Sequence, residues 1–118
     1  ELKLDTNMHF FKNLPIEDYI LLMTKTSCLI GNSSSGIREG AFIGTPVVNI
    51  GSRQNARDRG RNVIDVDYSK DEIKKALITQ LKNGKYKSEP IYGDGNAGKM
   101  IADILYNESV NIQKRITY

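Results

Sequence analysis

The sequence predicts an α/β fold: a parallel sheet with helices on both faces. Two observations carry this. Short apolar runs of strand length alternate with stretches of helical periodicity. Most changes from one to the other are marked by Gly, Pro, Ser or Asn. Strands that alternate with helices form βαβ units, and these place the strands parallel with helices packed on the sheet. A chain of 118 residues with 39% hydrophobic and 26% charged residues fits one domain of modest core.

The elements follow in order. Met8-His9-Phe10-Phe11 reads as a short strand, with His9 a half-buried histidine in it. Pro15 to Thr26 reads as a helix, because Pro15 suits the first turn and Ile16, Tyr19, Ile20 and Met23 recur at helical spacing. Cys28-Leu29-Ile30 reads as a buried strand ending at Gly31-Asn32. Gly36 to Phe42 reads as one short helix, with Ser33 to Ser35 as caps and Gly44 as its end. Val47 to Ile50 and Asn62 to Val66 read as two more strands. Ser69 and Glu72 form a capping-box pattern that opens a long helix to about Lys82, closed by Gly84. Lys85 to Gly95 reads as loop, and Ala97 to Asn107 as the last helix.

Composition excludes several function classes. One Cys makes no internal disulfide, and one His with one Cys falls short of the common zinc ligand sets. No metal and no cofactor are expected. No apolar run approaches the ~18 residues of a membrane span, and no basic-apolar leader is legible, so the cytosol is the expected compartment and no membrane partner is expected.

The net charge of +3 is unevenly placed. Arg38, Arg53, Arg57, Arg59 and Arg61 lie in one window that holds no Lys and only Glu39 and Asp58 as acids, so the whole net charge sits there. The remaining arginine is Arg115. Arginine presents a planar fork suited to phosphate or carboxylate, which points to an anionic ligand; an exposed basic loop is the plainer alternative. Nucleic acid is not the expected partner, because the tract lacks interleaved aromatics and the pI of about 9.0 is borderline.

The densest local signal is Gly31-Asn32-Ser33-Ser34-Ser35-Gly36-Ile37-Arg38-Glu39, between a strand and a helix. Small residues let amides and hydroxyls approach an anion, and a helix N-terminus adds positive potential, so the run reads as a phosphate cradle. The alternative is plain helix capping. It is not a P-loop, since Ile37 and Arg38 follow Gly36 where Lys and Ser/Thr are required, and it is not a nucleophile elbow. Gly93 to Met100 imitates nucleotide-binding glycine motifs, but no strand precedes it and Met100 stands where Ser/Thr should be, so it reads as a turn into the last helix. Asp65, Asp67, Ser69 and Asp71 imitate a calcium loop but lack its Gly and its closing Glu. Glu39 lies one turn past the serines. It either accepts ribose hydroxyls or complements the helix dipole, and position alone leaves both open.

The cradle run, the run Gly44 to Gln54 and the run Arg57-Asp58-Arg59-Gly60-Arg61-Asn62-Val63 together resemble the UDP-N-acetylglucosamine 2-epimerase family, in its hydrolysing branch, which feeds sialic and related nonulosonic acids. The resemblance spans about Phe10 to Leu105 and includes Tyr92-Gly93-Asp94-Gly95. It implies a glycosyltransferase-B-like protein of two Rossmann-like domains, with this chain as most of the C-terminal one. The N-terminal domain and the first βα unit of the C-terminal domain would lie outside residues 1–118. It implies a nucleotide-sugar ligand, UDP-N-acetylglucosamine or UDP, an N-terminal domain as intramolecular partner, and a homo-oligomer at full length.

Residue by residue, the resemblance gives Ser33 and Ser34 to the diphosphate, with Ser35 and Gly36 beside them. It gives Glu39 to the ribose, Arg53 to the phosphates or sugar end, and Leu14 and Tyr19 to the border of the uracil. No catalytic acid or histidine of the family maps onto this chain, and His9 does not match the family's functional histidine. The implied full-length chemistry is anti-elimination of UDP to a glycal, followed by water addition that gives N-acetylmannosamine. Alternatives of the same fold are a 2-epimerase of a GDP-linked or other amino sugar, or a glycosyltransferase. A non-catalytic nucleotide-sugar-binding module is a further alternative.

Overall fold

A computed structural model describes residues 7–109. Arg115 lies outside the described residues. The elements are α1 (Ile16–Lys25), β1 (Leu29–Gly31), α2 (Ser34–Ile37), α3 (Glu39–Ile43), β2 (Val47–Ile50), β3 (Val63–Val66), α4 (Lys70–Asn83) and α5 (Ala97–Asn107). The three strands form one parallel sheet in the order β1-β2-β3. Leu29, Val47 and Val63 are in register, as are Ile30, Val48 and Ile64.

Pleat alternation divides the sheet into two faces. Val47 and Leu29 meet Gly36 of α2: a methyl added there would lie 3.0 to 3.3 Å from their side-chain carbons. Glycine therefore lets α2 sit closer to the sheet than alanine would. On the other face, Ile64 and Val66 form a hollow with Lys75, Ala76 and Thr79 of α4. Helices thus cover both faces of an α/β, Rossmann-like sheet. The core is small: Met23, Ile37, Ala41, Val47, Val48 and Ala76 are its buried apolar side chains.

Buried amides do much of the joining. Asn62 is 2% exposed. Its Nδ2 donates to the carbonyl oxygens of Gly36, at 3.2 Å, and Thr45, at 2.8 Å. Its backbone carbonyl accepts from the Val47 amide and from Gln80 Nε2. Gln80 also donates to the Val47 carbonyl and accepts from the Tyr86 hydroxyl. Two side chains so connect α2, β2, β3, α4 and the chain after it. Gly44 ends α3 at φ 78°, where a Cβ would fall 2.1 Å from the Tyr86 carbonyl oxygen. Glycine is required there for both conformation and space.

Several expectations hold. β2 and α5 have the expected bounds, α1 and α4 differ by a residue at each end, and β3 starts one residue later than expected. Ser69 caps α4 by accepting from the Glu72 amide. The Glu72 carboxylate accepts from the Asp67 amide, two residues before the cap. The glycine run feeds α5 as a turn, in which Asp94 accepts from both the amide and the Nδ2 of Asn96. Those two bonds hold the Asp94 carboxyl below its ordinary range.

Others are corrected. Met8 to Phe11 is irregular and exposed rather than a strand, because nothing in the sheet pairs with it; His9 is exposed too. β1 is an edge strand rather than a buried one, and Ile30 is 45% exposed. The single helix expected from Gly36 to Phe42 is two short helices broken at Arg38, whose backbone (φ −86°, ψ −73°) departs from helical values. Cys28 is half-buried, and burial raises its thiol pKa, so it stays protonated at neutral pH.

Asn62→Asp keeps the shape but removes the donor that the Gly36 and Thr45 carbonyls share. Urea unfolding should show a loss of about 3 kcal/mol with an unchanged slope. A loss under about 1 kcal/mol would contradict the joining role of this amide.

Candidate functional site

The site forms at the carboxyl ends of the strands, where parallel α/β sheets present ligand-binding loops. β1 ends at Gly31, and Asn32 to Ser35 carry the chain onto α2. Ser33 is the N-cap of α2, and its Oγ accepts from the Ser35 amide. α2 has four residues, too short for a substantial macrodipole, so hydroxyls, amides and nearby cations dominate the field.

The hydroxyls form a chain. Tyr19 Oη lies 2.7 Å from Ser35 Oγ, which lies 2.8 Å from Ser33 Oγ. Tyr19 comes from α1, so the chain ties that helix to the serine run. Leu14 and Tyr19 share a hollow with Phe11, Asn13 and Ile16. Gly36 is buried beneath the serines against Val47 and Leu29, in a packing position.

Arg53 reaches the same place from the loop after β2. Its Nη1 donates to Asn32 Oδ1 at 3.4 Å, and its side chain is exposed. Gln54, 3% exposed, donates from Nε2 to the Asn32 carbonyl at 2.8 Å. The structure therefore brings together Ser33, Ser35, Tyr19 and Arg53, with Ser34 and Leu14 adjoining. Glu39 opens α3 and lines a separate hollow with Ile20, Arg38, Phe42 and Tyr92.

The arginine tract is more divided than its sequence implies. Arg59 pairs with Asp65 at 2.6 Å, and Arg61 pairs with Glu89 at 3.4 Å. Both acids lie beyond the arginine window, so the local excess of charge is partly neutralised. Arg38 sits over the Tyr92 ring, 6.0 Å from its centroid. Arg53 is the one of the five whose side chain is hydrogen-bonded to the residue next to the serines, while Arg38 meets them through its backbone amide on the Ser34 carbonyl.

Asn32, Gln54, Asn49 and Asp65 support the site and were not singled out as site residues from sequence. Asn49 is 1% exposed and donates to Asp65 Oδ1 at 2.6 Å. The legible signal was polar residues at strand ends, where apolar ones would be expected if the positions were only core.

Among the described residues, no helix is long and apolar enough to cross a membrane. None of their His, Cys, Asp and Glu side chains cluster as a metal-binding group.

Known proteins share this sequence pattern. The family described as UDP-N-acetylglucosamine 2-epimerase matches residues 1–106. A Legionella pneumophila protein named UDP-N,N'-diacetylbacillosamine 2-epimerase (hydrolyzing) is 39% identical over 99 residues, covering 84% of this chain and 26% of that protein. A Neisseria meningitidis protein named UDP-N-acetylglucosamine 2-epimerase is 29% identical over 89% of this chain and 29% of its own length. A Campylobacter jejuni protein named GDP/UDP-N,N'-diacetylbacillosamine 2-epimerase (hydrolyzing) is 51% identical over 55 residues, covering 47% of this chain and 14% of that protein. The chain thus spans under a third of the length of these relatives. A match over nearly all of its residues, with the serine run and Arg53 inside it, assigns the chain to the UDP-N-acetylglucosamine 2-epimerase family.

Proposed function

We propose that this chain is the nucleotide-binding part of a hydrolysing nucleotide-sugar 2-epimerase, with UDP-N-acetylglucosamine as substrate and N-acetylmannosamine and UDP as products of the whole enzyme. The observation that carries the reading is the hydroxyl chain Tyr19–Ser35–Ser33 with Arg53 held on Asn32 beside it. Together these offer hydroxyl and amide donors with one arginine fork beside them. That is the chemistry a diphosphate requires.

In this reading Ser33 and Ser34 donate to the diphosphate, with Ser35 and Gly36 beneath, and Arg53 neutralises its charge. Leu14 and Tyr19 border the base, and Glu39 accepts the ribose hydroxyls. Elimination of UDP develops negative charge on the departing diphosphate. Donors already oriented toward it stabilise that charge without reorganising in the transition state. Proton transfers at the sugar need an acid and a base. We assign those to a partner domain on the N-terminal side, in an oligomeric cytosolic enzyme.

A second reading keeps the fold and replaces UDP by GDP. It is favoured by the Campylobacter relative, whose name carries both nucleotides. Thermal shift with UDP and GDP separates the two, since bound ligand raises stability by mass action.

Calorimetry at native protein length should show UDP binding that weakens at least about tenfold, or ~1.4 kcal/mol, in Arg53→Ala. Unchanged affinity would remove Arg53 from the site. Incubation with UDP-N-acetylglucosamine should release UDP and free N-acetylmannosamine. A product still linked to UDP would place the enzyme in the non-hydrolysing class, and no turnover despite binding would favour a binding module.

A further inference from the structure

The loop between β2 and β3 carries Arg53 but has little core of its own. Residues 51–61 contain no strand or helix, and their side chains are mostly exposed. Ala56 adopts φ 62°, a left-handed conformation that is strained for a non-glycine residue. Something must hold the loop in this form.

Arg59 fits that role. Its guanidinium donates to three acceptors at once: Asp65 Oδ2 from Nε at 2.6 Å, the Arg57 carbonyl from Nη1 at 2.5 Å, and the Gln54 carbonyl from Nη2 at 2.8 Å. Asp65 is itself held on β3 by Asn49, at 2.6 Å. Gln54 in turn holds the Asn32 carbonyl, and Asn32 Oδ1 accepts from Arg53. A continuous path therefore runs from the end of β3 through Arg59 and Gln54 to the contact between Arg53 and Asn32.

We infer that Arg59 is a positioning residue for the anion site: with Asp65 it clamps the loop so that Arg53 stands beside the serine run. The fork is necessary, since a lysine ammonium in the same place is a point charge that cannot match three acceptors set in one plane. Its guanidinium is engaged by Asp65 and two carbonyls, which suits a positioning role rather than a ligand contact. The inference rests on the nucleotide-binding reading for its consequence, but its structural half stands apart from any ligand.

Two measurements on the protein at native length test it. The first is amide hydrogen exchange across residues 52–57 without ligand. Arg59→Lys and Asp65→Asn should each speed exchange there about tenfold or more, while exchange in β2 and α4 stays unchanged. The second is UDP affinity in a double-mutant cycle. Arg59→Lys should weaken UDP about fivefold in the native background and less than about twofold in an Arg53→Ala background. Equal losses in both backgrounds, or unchanged exchange in the loop, would overturn the inference. If unaltered protein fails to bind UDP, the proposed function falls, and the exchange result alone decides whether Arg59 clamps the loop.

Discussion

The carboxamide of Asn62 is the contact on which the rest of this fold depends. A short helix such as α2 leaves its carbonyls without intrahelical partners. Asn62 supplies a donor to one of them, at Gly36, and a second to Thr45 at the turn into β2. Its backbone meanwhile joins β2 and accepts from Gln80 of α4. An apolar side chain there would bury the same area and leave those carbonyls unsatisfied, a cost comparable to a whole core contact. The close seat of α2 on Val47 and Leu29 then needs glycine at position 36. Amide and glycine together set where the chain leaves β1, and with it the position of Ser33 to Ser35.

The candidate site lies at the opposite end of the same sheet. There polar side chains replace apolar ones: Asn32, Asn49, Gln54 and Asp65 knit the strand ends to the arginine loop. The arginines divide their labour. Arg59 and Arg61 satisfy acids and carbonyls, while Arg53 stays exposed next to the serines. A sum over the sequence window treats them alike. Only their partners separate the arginine that can meet a ligand from those that shape the loop.

Much of this was legible beforehand. Strand and helix order followed from periodicity, and the ends of α3 and α4 from Gly44, Ser69 and Gly84, because these signals are local. What failed depended on distant parts. Met8 to Phe11 has the apolar composition of a strand but no paired neighbour among the described residues, and strand formation requires one. β1 reads as buried from its apolar run, yet its exposure is decided by its edge place in the sheet order. The break at Arg38 lies beside Gly36, whose carbonyl meets a residue 26 positions away. At the site, the serine run and Arg53 were visible as residue types suited to an anion. Tyr19 was placed through family resemblance, whereas its hydroxyl contact with Ser35 is a product of how α1 packs.

The most direct test of the account is a crystal structure of the protein with UDP bound. The account predicts diphosphate oxygens within about 3 Å of Ser33, Ser34 and the Arg53 guanidinium, with Arg59 still paired to Asp65. A diphosphate bound elsewhere, with Arg53 still on Asn32 and the Tyr19–Ser35–Ser33 chain undisturbed, would contradict it.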